Sequence, residues 1–333
     1  TKGWSSLFVA KDKDVIVALL RTYHLPFVVM AKNRGGLFRK VLQLPLDLIR
    51  FLLILRRFKP DLIVSAVSIH SSWIGALLRI PHIAFIDTEP RKIVDFFTLP
   101  LVLAHVTSKS YYRRLGKRQV RYSGTHELAY LHPRRFRPDA SVRKELGLKD
   151  REPFVIMRFI AWKAFHDLGL TRMKHADRLM LFNEIVEKRR VFITAEGELP
   201  SELEQFKFPL QPHRILDALA FADLYVGEGI TMAAEAVTLG TPAVLINSMQ
   251  MGYCLEAQHY GMMFRFDDLS AGALNKIREI LSMTDIRRSF ADKHRRLLAD
   301  KIDVTEFMSW FIQTFPKSLE QMRIEADADL KFL

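Results

Sequence analysis

The sequence predicts an α/β protein with two domains, each built around a parallel sheet. The chain has 333 residues, which is long for a single hydrophobic core. Apolar segments typical of strands alternate with segments typical of helices in both halves. The halves are separated by a polar, proline-containing stretch at residues 134–153, typical of a linker. We therefore expect domains at residues 1–148 and 149–333.

In the first half, alternating strands and helices favour a sheet covered by helices on both faces. The predicted strands are SSLFVA, PFVVM, KPDLIVSAV and PHIAFID. The predicted helices are KDKDVIVALLRTYHL, SSWIGALLRI and a long basic segment at residues 36–58, in which Pro45 is a candidate break.

The second half shows the same alternation. Its predicted strands are FVIMRFIAW, RVFITAEG, DLYVGEG and PAVLINS, and HRILDALAFA is a predicted helix. A C-terminal helix near residues 307–315 is expected to cross back to the first domain. That helix and the linker would then form two hinges.

Composition excludes several classes of protein. A hydrophobic content of 49% excludes an intrinsically disordered chain. The single cysteine excludes an internal disulfide framework and a cysteine-cluster metal site, and is typical of the reducing cytoplasm. The histidines show no metal-binding spacing, so no metal is expected. Charges interrupt every apolar run before the roughly 18–20 residues that a membrane span needs.

Positive charge is concentrated in the first half. Residues 1–150 carry 27 Lys and Arg against 11 Asp and Glu, whereas the remainder carries 23 against 26. This asymmetry favours an anionic partner, contacted through residues 34–59 and 109–121. No nucleic-acid-binding motif is present, which favours acidic lipid over nucleic acid. The alternative is a solvated basic face without a partner.

The segment GEGITMAAEAVTLGTPAVLI, residues 227–246, is the clearest candidate binding motif. Gly227 and Gly229 would let the backbone approach a ligand closely, and the N-terminus of the following helix favours an anion such as phosphate. Thr231 is expected to cap that helix. Glu235, one turn further on, can accept hydrogen bonds from two ribose hydroxyls. The alternative is a purely structural turn.

The same segment excludes two common nucleotide-binding classes. Met232 stands where the dinucleotide fingerprint needs a third glycine or an alanine, so a nicotinamide dehydrogenase is not expected. No Walker A sequence occurs, which argues against a P-loop phosphotransferase.

A second cluster of polar residues follows the first strand of the second domain, in RFIAWKAFHD. Arg158 and Lys163 are candidates to neutralise a diphosphate leaving group. Trp162 and His166 lie in the same strand-to-helix connection and are further candidate ligands. Core packing of the tryptophan and a helix start at the histidine are the alternatives.

Two strands of the first domain end in groups that can accept a proton. SAVSIHSS contains His70, and FIDTEP contains Asp87 and Glu89. Because parallel strands end at one sheet edge, these side chains are candidate general bases, with Glu89 preferred. His126 and Glu127, near the domain junction, are further candidates. Turn or cap roles are the alternative for each.

The segment ADLYVGEGITMAAEAVTLGTPAVLIN resembles the nucleotide-sugar motif of GT-B glycosyltransferases and UDP-N-acetylglucosamine 2-epimerases. Nearly the whole chain resembles the DUF354 family, through KPDLIVS, IPHIAFIDTE, YSGTHELAYLHPRRFRPD, VIMRFIAWKAFHD and GITMAAEAVTLGTP in that order. This resemblance implies a GT-B-like fold, with two Rossmann-like domains facing a central cleft. Relative to the family, an N-terminal strand–helix unit is expected to be missing, and Glu228 replaces a more glycine-rich turn.

The resemblance also implies positions for a nucleotide-sugar. Gly229, Thr231 and Met232 would meet the diphosphate, and Glu235 the ribose. Leu210 and His213 would lie near the nucleobase, although His213 could instead cap a helix.

The resemblance implies a glycosyltransferase that moves a sugar from a nucleotide-sugar, expected to be a UDP-sugar, to a glycan or lipid-linked acceptor. Such an enzyme would serve surface polysaccharide synthesis in the cytoplasm, peripherally on the inner face of the membrane. It would need no cofactor besides this substrate. A UDP-N-acetylglucosamine 2-epimerase is the first alternative. A non-catalytic nucleotide-sugar-binding protein is the second.

Overall fold

The computed structural model describes residues 3–12, 16–32, 37–160, 173–325 and 327–333. The predicted α/β architecture with parallel sheets is confirmed. Contacts divide the chain into two compact units. The first unit comprises Thr1–Ile86, Pro90–Thr107 and Arg114–Val120, and the second comprises Asp87–Glu89, Ser108–Arg113 and Arg121–Leu333.

The first unit contains two sheets. The elements that begin in it are, in chain order, β1 (Phe8–Asp12), α1 (Ile16–Thr22), β2 (Phe27–Lys32), α2 (Leu37–Phe58), β3 (Ile63–Ser65), α3 (Ile69–Leu77), β4 (His82–Ile86), α4 (Lys92–Thr98), the 3-10 helix Leu99–Leu101, β5 (Ala104–Ser108) and β6 (Gln119–Tyr122). β1 and β2 form a parallel pair. The other sheet has the order β3-β4-β5-β6, and its first three strands are parallel.

Helix α2 continues through Pro45, which was a candidate break in the sequence. Proline lacks the N–H that would bond one turn back, so an isolated helix would be weakened there. Here Phe51 and Leu55, on the buried face of α2, pack in one cluster with Ile63 and Ile74. Pro45 itself is exposed. Tertiary packing of the opposite face therefore maintains the helix across the proline.

The second unit is built around one five-stranded parallel sheet with the order β8-β7-β9-β10-β11. Its elements are α5 (Leu128–Leu131), α6 (Ser141–Glu145), β7 (Phe154–Phe159), α7 (His175–Val186), β8 (Arg190–Ala195), the 3-10 helices Ser201–Phe206 and Pro212–Arg214, α8 (Ile215–Phe221), β9 (Leu224–Gly227), α9 (Ile230–Thr238), β10 (Ala243–Ile246), α10 (Gly252–His259), β11 (Met263–Phe266), α11 (Ala271–Leu281), α12 (Ile286–Ala299), α13 (Val304–Gln313), α14 (Lys317–Ile324) and the 3-10 helix Leu330–Phe332.

The central strands of this sheet are buried on both faces. β9 and β10 contain only buried residues, as expected for continuous apolar runs in a parallel sheet covered by helices. Among the described helices, none is long and apolar enough to cross a membrane.

The polar stretch predicted as a linker packs within the second unit. It contains α6, and the Arg214 guanidinium donates to the Glu145 carboxylate (2.6 Å) and to the Ser141 hydroxyl (2.9 Å). The Asp139 N–H donates to the Asp217 carboxylate (2.9 Å). α13 also lies in the second unit, where Phe307 stacks on Tyr122.

Candidate functional site

The strand order of the second unit creates a switch point between β7 and β9. The chain passes from β7 to β8 on one side and then returns to place β9 on the other side. In open parallel sheets, ligands bind outside the carboxyl ends of the strands at such a point. The motif at residues 227–235 follows β9, and Arg158 lies near the end of β7. The fold therefore brings two of the predicted polar clusters to one position.

Gly227 is required by the packing of β9 on β7. A Cβ atom built on Gly227 would lie 2.2 Å from the carbonyl oxygen of Arg158. The neighbouring Glu228 N–H donates to that same oxygen at 2.9 Å. The sequence predicted that the Gly227 backbone lies close to a ligand. In the structure it lies close to the backbone of β7 instead.

Gly229 lies directly beneath the side chain of Arg158. A Cβ atom on Gly229 would lie 2.7 Å from Arg158 Cγ and 3.0 Å from the Tyr225 hydroxyl oxygen. That hydroxyl donates to the Gly229 carbonyl oxygen at 2.7 Å. Gly229 is the N-cap residue of α9, so the aliphatic part of Arg158 passes over the helix N-terminus.

Thr231 does not cap α9, contrary to the sequence expectation. The helix begins at Ile230, which places Thr231 in its first turn with an exposed side chain. No described side chain accepts a hydrogen bond from the first turn of α9. The N–H groups of that turn and the helix dipole favour an anion. The half-buried Met232 side chain packs against the core, where its sulfur accepts a hydrogen bond from the Thr194 hydroxyl (3.7 Å).

Glu235 is half-buried one turn into α9. Its carboxylate accepts a hydrogen bond from the Tyr130 hydroxyl at 2.8 Å. Burial raises the pKa of Glu235, while the Tyr130 hydrogen bond and the Arg158 charge act in the opposite direction. The carboxylate is thus near both a hydroxyl donor and a cation.

The Arg158 guanidinium forms an ion pair with Glu196, which is half-exposed on the loop after β8 (2.7 Å). Because this partner is well solvated, the pair is weak, and an incoming anion can compete for the guanidinium. Arg158 can therefore bind a phosphate at the α9 N-terminus.

The Glu228 carboxylate forms its hydrogen bonds away from the α9 N-terminus. Its buried carboxylate accepts hydrogen bonds from the Ile160 N–H (3.2 Å), the Met173 N–H (3.2 Å) and the Arg178 guanidinium (3.1 Å). Although Glu228 stands where more glycine was expected, its carboxylate therefore does not face the α9 N-terminus and would not repel an anion bound there. The predicted ligands Trp162, Lys163 and His166 lie outside the described residues.

The predicted nucleobase residues lie just before α8. His213 belongs to the 3-10 helix Pro212–Arg214 and is exposed. The N-cap residue of α8 is Arg214, so His213 does not cap that helix. Leu210 is half-buried and packs against the core of the second unit.

The candidate bases occupy different environments. Asp87 directly follows β4, is half-buried, and accepts a hydrogen bond from the Thr88 hydroxyl (2.9 Å). Glu89 is only 1% exposed, and its Oε1 accepts from the Gly252 N–H at the start of α10 (2.9 Å). Both residues belong to the second unit, whereas the sequence placed them in the first domain.

Burial raises the pKa of two carboxyl groups near Asp87. The pKa of Glu89 rises to about 7, mainly through desolvation and despite the Gly252 hydrogen bond. The pKa of Glu127, which is also buried, rises to about 7 through desolvation, with the charges of Asp87 and Glu235 adding to the shift. Near neutral pH, both carboxyl groups can therefore gain or lose a proton.

His70 lies on α3 in the first unit and is buried. Its Nε2 atom is 3.9 Å from the Asp47 carboxylate. Burial and the Lys11 charge lower its pKa, whereas the Asp47 charge raises it. His70 is therefore neutral at neutral pH, the form that accepts a proton.

Sequence reasoning missed Tyr130, Ser248 and Gly252. Tyr130 is distant in sequence from Glu235, and no local pattern connects them. Ser248 and Gly252 follow β10, and the position of this connection at the carboxyl end of a buried strand could have identified it. The Ser248 hydroxyl oxygen is buried without a partner among the described residues. Next to it, the Asn247 side chain donates to the Glu228 carbonyl oxygen (2.9 Å).

The parallel sheets and the polar switch point define an α/β protein of the GT-B type, and solved structures share the fold. UDP-GlcNAc 2-epimerase from Neisseria meningitidis bound to UDP-GlcNAc has a TM-score of 0.64 and 10% identity over 93% of this chain and 90% of that one. Anabaena HepE in complex with UDP and glucose has a TM-score of 0.57 and 14% identity, with 93% and 92% covered. The spinosyn rhamnosyltransferase SpnG has a TM-score of 0.55 and 12% identity, with 94% and 92% covered.

The chain belongs to the DUF354 family, described as proteins of unknown function, which it matches over residues 1–308. No curated protein matches the chain.

Proposed function

We propose that this protein is a glycosyltransferase that uses a nucleotide-sugar donor, with a UDP-sugar as the favoured class. The observation that carries the proposal is the N-terminus of α9, which no described side chain caps, with Arg158 above it and Glu235 one turn inside it. A diphosphate needs N–H donors and a cation, and a ribose needs an acceptor for its two hydroxyls. The solved structures of similar fold support this proposal, because two of them contain UDP or UDP-GlcNAc.

In the proposed reaction, the bond between the anomeric carbon and the diphosphate oxygen breaks, and a bond to an acceptor hydroxyl oxygen forms. The leaving diphosphate keeps the electron pair, and Arg158 and the α9 N–H groups stabilise its negative charge. The acceptor proton passes to a base. Asp87 is favoured because its carboxylate is partly exposed, whereas Glu89 and His70 are buried.

We further propose that the acceptor is a glycan or a lipid-linked sugar, and that the protein acts in surface polysaccharide synthesis. Its single cysteine fits work in the reducing cytoplasm. The excess of Lys and Arg in residues 1–150 supports a position at the inner face of the membrane, where lipids are anionic.

Nucleotide-sugar 2-epimerisation is the second candidate function. It is favoured by the fold that the chain shares with UDP-GlcNAc 2-epimerase. Glu89 and Glu127, whose carboxyl groups both have a pKa of about 7, are buried and would have to become accessible to the sugar to act in it. Epimerisation requires proton removal and proton return at a sugar carbon, and such groups can do both near neutral pH. A panel of UDP-sugars with and without acceptors separates the candidates by product. A glycoside with free UDP indicates transfer, a 2-epimer indicates isomerisation, and binding without product indicates a non-catalytic role.

Glu235→Ala should weaken UDP binding about ten- to a hundredfold, because the ribose hydroxyls lose a charged acceptor. Isothermal titration calorimetry measures this affinity. Glu279→Ala is the matched control, since Glu279 is an exposed glutamate on α11. Tyr130→Phe is a second control, because it removes only the hydroxyl that Glu235 binds. No loss in Glu235→Ala would exclude a ribose contact.

A further inference from the structure

Exposed apolar side chains are concentrated in the first unit. Among the described residues, 20 of the 27 large apolar side chains that are exposed to solvent belong to it. The second unit is the larger of the two, so its size does not explain the difference. An apolar surface of this kind usually marks a contact with another molecule or with a membrane.

Helix α2 carries the most regular part of this surface. Leu42, Leu46, Ile49 and Leu53 are 64%, 58%, 53% and 58% exposed. Their spacings of four, three and four residues place them on one face of the helix. We call these four residues the outer stripe. The opposite face holds the buried residues Phe51 and Leu55 together with Asp47, so α2 carries apolar side chains on both faces.

Basic residues accompany the outer stripe, while carboxylates are scarce. Arg50, Arg56 and Arg57 are exposed on the same helix, and Lys59 follows its end. Within residues 37–86, the only acidic residues are Asp47, which is buried, and Asp61. The outer stripe therefore lies in a positively charged environment.

The cations of the second basic stretch, residues 109–121, are less available to an anionic partner than the composition of this stretch predicts. Lys109 pairs with Asp327 (2.8 Å), and Arg113 donates to the Glu89 carbonyl oxygen (2.6 Å). Arg118 donates to the carbonyl oxygens of Pro100 (2.6 Å) and Val102 (3.0 Å). Arg121 donates to the Arg113 carbonyl oxygen (3.0 Å). Most cations of this stretch thus serve internal contacts.

We propose that the outer stripe of α2 rests in the interface of an anionic lipid bilayer, with Arg50 and Arg57 beside the headgroups. Aliphatic side chains on one helix face with flanking arginines are what such an interface accepts. Charge complementarity favours lipid over a second copy, because two copies would bring like charges together. A stable dimer also buries about 800 Å² on each partner, which four aliphatic side chains on one helix do not supply. This proposal does not depend on the reaction catalysed.

Co-sedimentation with vesicles tests the proposal. The protein should bind vesicles that contain phosphatidylglycerol far better than vesicles of phosphatidylcholine alone, and the binding should weaken as salt rises. The double variant Leu46→Gln, Leu53→Gln should bind about a hundredfold more weakly, because each buried leucine contributes about tenfold. Arg50→Gln and Arg57→Gln should each cost about fivefold. Ile324→Gln is the matched control, since Ile324 is 83% exposed in the second unit.

The circular dichroism spectrum and thermal unfolding of the leucine double variant should match those of the wild type, which shows that the first unit is folded. Unchanged UDP affinity then separates lipid binding from nucleotide binding. Equal binding of the double variant and the wild type to anionic vesicles would overturn the proposal. Sedimentation without lipid is the last measurement. A wild-type dimer that the double variant converts to monomer would also overturn it, because a second copy would then cover the outer stripe.

Discussion

Glu127 is a buried carboxyl group that forms no ion pair with any described residue, and its burial makes folding stability depend on pH. Desolvation raises its pKa from 4.5 to about 7 in the folded protein. Between these values the folded state holds a proton that the unfolded state has released. The stability from this group is therefore fully present below about pH 4.5 and is lost as the pH rises through about 7.

Glu127→Gln should remove this loss, since the amide stays neutral. We expect the variant to be more stable than the wild type by about 2 kcal/mol at about pH 8, with a smaller difference at about pH 5. Thermal unfolding at several pH values measures the effect, and Glu279→Gln provides an exposed control. A stability difference that does not change with pH would contradict the raised pKa.

We expect Asp87 to accept the acceptor's proton. We expect Glu89 to position α10 through its hydrogen bond from the Gly252 N–H. Asp87→Asn should lower turnover by about 10²–10⁴-fold, the range for a lost general base, and leave UDP affinity unchanged. Glu89→Gln retains an acceptor oxygen for the Gly252 N–H, so it should retain most of the turnover. Steady-state kinetics on the substrate pair measures both. If Glu89→Gln loses this turnover while Asp87→Asn retains it, Glu89 is the base instead.

At the scale of elements, the turn between β9 and α9 combines a glycine packed against the β7 backbone with one that lies beneath the Arg158 side chain. Gly227→Ala should destabilise the fold by about 3 kcal/mol, because its Cβ would overlap the backbone of β7. Gly229→Ala should leave the fold largely intact, because its Cβ meets mainly the flexible Arg158 side chain. Displacement of Arg158 should instead weaken UDP binding. Thermal unfolding and calorimetry on both variants measure the two effects, and equal stabilities would refute the distinction.

The regular elements were predictable because their patterns are local. Buried strands such as β9 and β10 are continuous apolar runs, and the strand–helix alternation gives the sheet type directly. The continuity of α2 across Pro45 was not predictable, because it depends on packing by residues distant in sequence. The start of α9 at Ile230 was also missed, since Thr231 is a good cap by residue type alone.

The candidate site was predictable only in part. The strand–turn–helix pattern identified Arg158 and Glu235, but their partners Glu196 and Tyr130 come from the loop after β8 and from α5. The burial of Glu89 could not be inferred either, because the Gly252 N–H that binds it is distant in sequence. Long-range partners decide protonation and exposure, and one sequence does not reveal them.

At the scale of the whole molecule, nucleotide and lipid should act on different units. Bound UDP should slow amide hydrogen exchange at residues 227–235, because binding opposes local opening of the α9 N-terminus. Exchange in α2 should not respond to UDP. Hydrogen-exchange mass spectrometry with and without UDP measures both regions. Protection of α2 without protection at residues 227–235 would show that UDP binds the first unit, and it would contradict the prediction.

The Glu228 carboxylate connects two parts of the second unit that are separated along the chain. It binds the N–H groups of Ile160 and Met173, which stand on either side of residues 161–172. One side chain at the turn after β9 therefore joins the end of β7 to the residues just before α7. Glu228→Ala would leave both N–H groups without this acceptor, so a single substitution should loosen two places of the second unit at once.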